Sequence, residues 1–337
     1  MKAAGYQYVN LDGGWDLLQR DANGQLQPDP AKFPDGIKPV ADYAHSLGLK
    51  FGIYASAGTA NCAGTSAGNY DHYQQDADTF ASWGVDYVKF DRCDVPYSNY
   101  PDLTHDQVTQ MLATQMHQAI EAAGRPMVFD VNDAMQVEHD WTWAPPIANM
   151  WRIVGDISDT YNSMVNHLTA DLTHAPDVAP GGGWSDPDML EVGNGGMTTT
   201  EDRSEFSLWA ELAAPLLAGN DLTAMPEATR HILTNRAVIA VDQDPLGKQG
   251  YAVSSANGQW VLTKPLANGD RAVVLFNQTS TAAVISTSAS QVGLPASTVY
   301  TLHDLWQGAS TETTGPVSAD VPPHAVVMYR IAAHGQH

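Results

Sequence analysis

Basic residues are scarce in this chain: 16 lysines and arginines stand against 38 aspartates and glutamates, a formal charge of −22. Such a surface repels phosphates, which excludes nucleic acid and an anionic membrane as partners. Long apolar runs are also missing. None approaches the ~20 residues that a membrane-crossing helix needs. Cysteine is reduced to Cys62 and Cys93, too few for a zinc site, and no histidine cluster accompanies them at ligand spacing. A single disulfide, suited to an oxidising compartment, and two free thiols both remain open. No Gly-x-Gly-x-x-Gly follows the first apolar run, and Gly181-Gly182-Gly183 does not lie between a strand and a helix, so a phosphate-cradling loop is excluded. The nucleophile elbow Gly-x-Ser-x-Gly is absent. The twelve histidines are scattered, which disfavours metal-assisted hydrolysis. Met1-Lys2-Ala3-Ala4-Gly5 runs straight into a strand without the charged-then-apolar pattern of a secretory leader. The chain is therefore expected to begin inside a domain.

What is present is the composition of a folded globular protein: 337 residues, 43% hydrophobic, with nine Trp and thirteen Tyr. Apolar β-forming runs at 7–11, 49–54, 87–90, 127–131, 148–153, near Trp184 and at 215–218 alternate with helical stretches at 36–47, 70–83, 105–123, 159–173, 200–212 and 226–235. Strict alternation means a parallel sheet. Seven strand–helix units with polar strand ends predict a (β/α)8 TIM barrel whose first unit is missing, with its site at the C-terminal ends of the strands. After residue 248 the helical period disappears. Short Val- and Thr-rich runs with turns at Asn257-Gly258 and Asn268-Gly269 predict a C-terminal antiparallel β-sandwich over 249–337, closed by a strand that starts at Pro322-Pro323. The barrel then spans 1–248.

Polar groups recur where the apolar runs stop. Asp12, Asp91, Asp130 and Asn132, Asp156, and Asp186 with Asp188 all follow such runs. A carboxylate at a buried strand end loses hydration, so it is paired, protonated or used. Lys89, two residues before Asp91 on the same strand face, is positioned to keep it ionised. Carboxylates among Trp and Tyr walls suit glycoside hydrolysis, which needs one anionic and one protonated carboxyl, with aromatic faces to stack on sugar rings.

Tyr8-Val-Asn-Leu-Asp12-Gly-Gly-Trp15, Gly52-Ile-Tyr54, Val88-Lys89-Phe-Asp91-Arg-Cys93, Trp151-Arg152-Ile-Val-Gly-Asp156, Trp184-Ser-Asp186-Pro-Asp188-Met-Leu190 and Asp242-Gln-Asp-Pro-Leu-Gly-Lys-Gln-Gly250 together resemble the α-galactosidases of glycoside hydrolase family 27. The resemblance runs through nearly the whole chain in order. It implies a retaining exo-glycosidase acting on an oligosaccharide or polysaccharide, with no cofactor and no metal, in a secreted setting. It implies Asp91 as nucleophile and Asp156 as acid/base, about 5–5.5 Å apart as in retaining enzymes. Asp12, Trp15, Tyr54, Lys89, Asn132, Arg152 and Asp188 fall on sugar-binding positions, and Cys62 with Cys93 on a disulfide at the rim.

Three departures bear on specificity. Gly13 replaces the second Asp of the usual Asp-Asp pair. Asn132-Asp133-Ala134 replaces a Cys-Glu-Trp-like or Cys-Asn-Trp-like segment. The opening Met-Gly-Trp-Asn-Ser-Trp strand has no counterpart. The last predicts a fragment, or a mis-started reading, short by roughly 25–30 residues, the size of one strand–helix unit, with a gap between the strands of Val9 and Leu216. Gly13 brings in relatives that take β-L-arabinopyranosides or isomaltosyl units of dextran. An inactive carbohydrate-binding protein is the alternative of another class.

Overall fold

The computed structural model describes residues 1–132, 140–174 and 183–334. Asp133 and Ala134, and Gly181 and Gly182, lie outside the described residues. By contacts the chain divides into two compact units, Lys2–Gly155 and Asp156–His337 together with Met1.

In the first unit the elements run β1 (Tyr8–Asn10), α1 (Lys38–Ser46), β2 (Lys50–Ser56), α2 (Tyr73–Trp83), β3 (Tyr87–Asp91), α3 (His105–Ala122), β4 (Val128–Asn132), α4 (Asp140–Trp143) and β5 (Met150–Arg152). β1 to β5 lie side by side, parallel and in chain order, and β1 is the edge. Side chains alternate across the pleat. Val88, Phe90, Phe129 and Val131 are buried on one face, while Tyr87, Lys89, Asp91, Asp130 and Asn132 share the other. The strands are therefore not uniformly apolar on both faces. The polar face is crowded: a Cβ on Gly52 would lie 2.0 Å from Asn10 Oδ1 and 2.7 Å from the Tyr87 ring. Only glycine fits between them. α3 begins on a capping box, with Thr104 accepting from Gln107 N–H and the Gln107 side chain returning to Thr104 N–H. Its buried stripe is Val108, Leu112, Met116 and Ile120. Met111 is half-buried and Gln115 is exposed.

The second unit runs α5 (Tyr161–His174), β6 (Trp184–Asp186), α6 (Thr199–Leu212), α7 (Glu227–Leu233) and α8 (Arg236–Asp242), then eight strands: β7 (Tyr251–Ser254), β8 (Gln259–Pro265), β9 (Arg271–Asn277), β10 (Ala283–Ser288), β11 (Tyr300–Asp304), β12 (Ser310–Thr313), β13 (Pro316–Val321) and β14 (Val326–Ala333). The strand expected at 215–218 is reduced to one parallel bridge between Ala218 and Leu190. Pro215 has no N–H, and its carbonyl takes the Leu217 N–H in a tight turn, so little backbone is left to pair.

The eight strands form a six-stranded antiparallel sheet, β12-β11-β14-β9-β8-β7, and a two-stranded one, β10-β13. Both faces of the larger sheet are covered. Val261, Val273, Leu275 and Ile331 pack with Ile285, Val317 and Val321 of the smaller sheet. Leu262, Val274, Phe276 and Met328 pack with Phe206, Trp209, Val238 and Val241 of α6 and α8. That is why Arg271–Phe276 reads as a continuous apolar run. Asn257 and Gly258 both take positive φ, as a tight hairpin turn requires. Pro322-Pro323 corrects the sequence reading: β13 ends at Val321 and β14 starts at Val326, so the prolines form the turn that crosses from one sheet to the other.

Among the ionisable groups that this unit shuts away from water, Asp171, Glu211 and Lys264 are 0% exposed and Asp242 is 7% exposed. Lys264 Nζ donates to the carbonyls of Ala210 (3.0 Å) and Asp242 (3.4 Å). Asp171 accepts from Ser185 Oγ at 2.7 Å and from Gln249 Nε2. Lys264 is the one ammonium beside the three carboxyls of this group, and burial favours their protonated forms. Burial pushes Asp171 and Asp242 up to about 7 and raises Glu211 against the pull of Lys264. Folded values above the unfolded ~4 mean that the folded unit binds more protons. This contribution is complete below pH ~4 and is lost as pH rises through ~7. Carboxyls held low, such as Glu201, titrate below that window. Thermal melts are expected to show Tm falling by several degrees between pH 5 and 8, since ~1 kcal/mol is worth about 2–4 °C in a unit of this size. Glu211→Gln is expected to flatten the fall. A Tm that is constant or rising over that range counts against this account.

Candidate active site

The candidate residues gather at the C-terminal ends of the parallel strands. Register places Ser56 of β2 opposite Asp91 of β3, and Asp91 opposite Asn132 of β4. Asp91 Oδ1 accepts the Arg92 N–H at 2.8 Å, and Oδ2 accepts the Tyr54 phenol O–H at 2.8 Å. Both donors favour the carboxylate over the acid. Burial, then the Asp91 charge and the hydrogen bond to it, raise the Tyr54 pKa well above that of a free phenol. Tyr54 therefore remains a donor at any working pH.

Lys89 behaves differently from the sequence reading. Its ammonium donates to Asp12 Oδ2 at 2.9 Å, across from β3 to the end of β1. Burial alone would lower Lys89, but the charge of Asp12 and the hydrogen bond to it keep its pKa above the usual value, with Asp91 adding a smaller pull. Desolvation by its neighbours acts to raise Asp12. With that side chain 68% exposed, the Lys89 charge and hydrogen bond and the Gly13 N–H win, and the carboxyl sits below its usual range. The result is an ion pair beside a carboxylate that accepts a phenol O–H and a backbone N–H.

Asn132 is 2% exposed, and its Oδ1 has no hydrogen-bond partner among the described residues. A buried, unsatisfied oxygen next to Asp91 is poised to accept from a ligand hydroxyl. Arg152, also 2% exposed, donates to the Val154 carbonyl at 3.2 Å, and its charge acts on both Asp12 and Lys89.

Trp15 is placed elsewhere than expected. It is 3% exposed, packs edge-on against Phe80 and Trp83, and donates its indole N–H to the Tyr54 carbonyl at 3.0 Å. No face is open for a sugar, so it supports the Tyr54 strand from behind. Beside Tyr54, a Cβ on Gly13 would meet the Tyr54 ring and Asn61 Nδ2 at 3.5 Å, an ordinary contact. The second carboxylate of the usual pair is missing at this place.

Cys62 and Cys93 are bonded, with Cα atoms 4.9 Å apart and a sequence separation of 31. Cys62 Sγ lies 3.2 Å from Asp91 Oδ2, so the bridge abuts the carboxylate. The three groups come close enough to suggest a metal cluster, but disulfide sulfurs carry no thiolate to ligate one. Asn61, which the sequence reading passed over, shapes this loop: its Oδ1 accepts from Thr65 N at 2.8 Å and Ser66 N at 3.2 Å. Its place at the head of Asn61-Cys-Ala-Gly64 was the available signal. Titration of the unfolded, unreduced protein is expected to find no reactive thiol. Loss of the bridge should cost on the order of 3 kcal/mol for a loop this long. Two titratable thiols would refute it.

In the second unit Asp156 is exposed, on the loop that precedes α5. Asp188 adopts φ +81°, a left-handed conformation uncommon outside glycine. Its carboxylate accepts two backbone N–H groups, Met189 at 2.7 Å on Oδ1 and Ile157 at 2.9 Å on Oδ2.

The family described as alpha galactosidase A matches residues 1–244, and the alpha galactosidase C-terminal beta sandwich domain matches residues 256–331. The α-galactosidase of Cyamopsis tetragonoloba is 43% identical, covering 98% of this chain and 78% of its own. That of Oryza sativa subsp. japonica is 44% identical, covering 96% and 75%. The crystal structure of α-galactosidase I from Mortierella vinacea matches with a TM-score of 0.90 at 32% identity, covering 98% of this chain and 89% of that one.

Proposed function

The chain belongs to the α-galactosidase family of glycoside hydrolases, and from that premise we propose that Asp91 and Asp156 carry out hydrolysis of terminal α-galactosides in two displacements. The fold class is the family's (β/α) barrel followed by an antiparallel sandwich, with 1–248 as the catalytic part and 249–337 as the sandwich. Asp91 attacks the anomeric carbon while Asp156 protonates the departing oxygen. Asp156 then deprotonates the water that releases the sugar from Asp91, and the anomeric configuration is retained.

The observation that carries this reading is the setting of Asp91. A carboxylate at a strand end, hydrogen-bonded by a neutral phenol and a backbone N–H, is an anion fixed in direction. Asp12, Lys89, Asn132 and Arg152 supply acceptors and donors suited to sugar hydroxyls. The substrate is an oligosaccharide or polysaccharide, and the disulfide and acidic surface suit a secreted protein.

Gly13 in place of a carboxylate removes one acceptor for sugar hydroxyls beside Tyr54 and favours a second reading, a differently substituted sugar such as an isomaltosyl unit or β-L-arabinopyranose. Nitrophenyl α-galactoside, β-L-arabinopyranoside and isomaltoside should be compared by kcat/KM, with the first-formed anomer followed by NMR. The proposal expects the α-galactoside to be the best of the three, with α-galactose released first. Preference for another glycoside removes galactose specificity, and no turnover of any of them supports a carbohydrate-binding protein instead.

A further inference from the structure

Asp156 stands on an exposed loop rather than on a strand, yet a general acid must be held within hydrogen-bond reach of the oxygen it protonates. The loop is tied down on both sides of the next few residues. Ile157, immediately after Asp156, donates its N–H to Asp188 Oδ2 at 2.9 Å. Two residues further on, Asp159 Oδ2 accepts the Gly196 N–H at 2.5 Å. The approach at Gly196 is close enough that a Cβ there would lie 2.0 Å from the Asp159 carbonyl oxygen.

The Asp188 end of this tie is itself braced. Its N–H donates to Asp186 Oδ1 at 2.8 Å, and its carbonyl accepts the indole N–H of Trp209 at 2.8 Å. Trp209 lies on α6, is 0% exposed, and sits among Leu190, Phe206 and Leu212. A buried indole needs a partner for its N–H, and here that partner is the backbone of a residue held at φ +81°. Each carboxylate oxygen of Asp188 already accepts a backbone N–H, an arrangement built for holding chain in place.

We propose that Trp209 and Asp188 are positioning residues for Asp156: the indole fixes the Asp188 backbone, and the Asp188 carboxylate fixes the peptide that follows Asp156. This rests on Asp156 being the acid/base. The indole is tied through Asp188 to the peptide that follows Asp156, so its loss should weigh most where protonation of the leaving group matters.

Trp209→Phe keeps most of the ring volume, removes the N–H and touches no substrate. Its kcat/KM should be measured on an activated aryl α-galactoside and on methyl α-galactoside, beside Asp156→Ala and with a thermal melt. The expected result is a loss of roughly tenfold to a hundredfold on the methyl glycoside, the scale of a displacement near 1 Å, against less than about twofold on the aryl glycoside. Asp186→Ala, which removes the acceptor of the Asp188 N–H and is not one of the sugar-binding positions, should show the same selectivity. It decides the matter if Trp209→Phe does not fold. Equal losses on both substrates, or none on either, in the variant that folds overturn the proposal. Absence of selectivity in Asp156→Ala overturns instead the assignment of Asp156.

Discussion

Asp91→Asn is expected to lower turnover of every α-galactoside by roughly three orders of magnitude or more, the scale on which loss of a covalent nucleophile acts, with little change in the melting temperature. The two halves of this expectation have separate causes. An amide cannot form the glycosyl ester, and with no anion facing the anomeric carbon the first displacement has no nucleophile. The fold survives because the amide has nearly the shape of the carboxylate. Asn Oδ1 can keep the Arg92 N–H, and Nδ2 can donate to the Tyr54 oxygen, since a phenol accepts as well as it donates. The Cys62–Cys93 bridge and the register between β3 and β4 are untouched. Turnover within tenfold of the parent would show that another group attacks.

Asp156→Ala should divide substrates by leaving group. General acid catalysis is worth about 10²–10⁴-fold, and a sugar or alkyl alcohol needs that proton while a nitrophenolate does not. Expected, therefore, is a loss of that size in kcat/KM on the former and little on the latter. On the activated substrate kcat and KM should fall together, because the glycosyl-enzyme accumulates without a base to hydrolyse it. Azide, which needs no base, should restore turnover and give a glycosyl azide. Uniform loss across leaving groups would contradict the role. The exposed position of Asp156 argues against misfolding as a cause.

How far the residues disclosed this can be judged element by element. Strand existence was legible because five apolar runs end on polar groups, and β1 to β5 follow them closely. The run at 215–218 was misleading: it has strand composition, but Pro215 and the turn at Leu217 remove its pairing groups. Pro322-Pro323 was placed at a strand start, whereas it makes the crossing between two sheets, a distinction that depends on pairing partners far away in sequence.

Site residues were legible as types and less so as partners. Lys89 precedes Asp91 by two residues, which places both on one face, but which carboxylate the ammonium binds depends on where β1 ends, and it binds Asp12. Trp15 occupies a sugar-binding position in the resemblance and turns its rings into the core instead. Nothing marked Trp209, since an indole on an apolar helix face reads only as core until its N–H is seen to find Asp188.

The central claim is a covalent intermediate on Asp91. The most direct measurement is trapping with a slow fluorinated α-galactosyl substrate, followed by proteolysis and mass spectrometry. The account predicts one fluorogalactosyl unit per chain, on the peptide bearing Asp91 and absent from Asp91→Asn. A label on a peptide lacking Asp91, or no label while the first-formed sugar has inverted configuration, would contradict it.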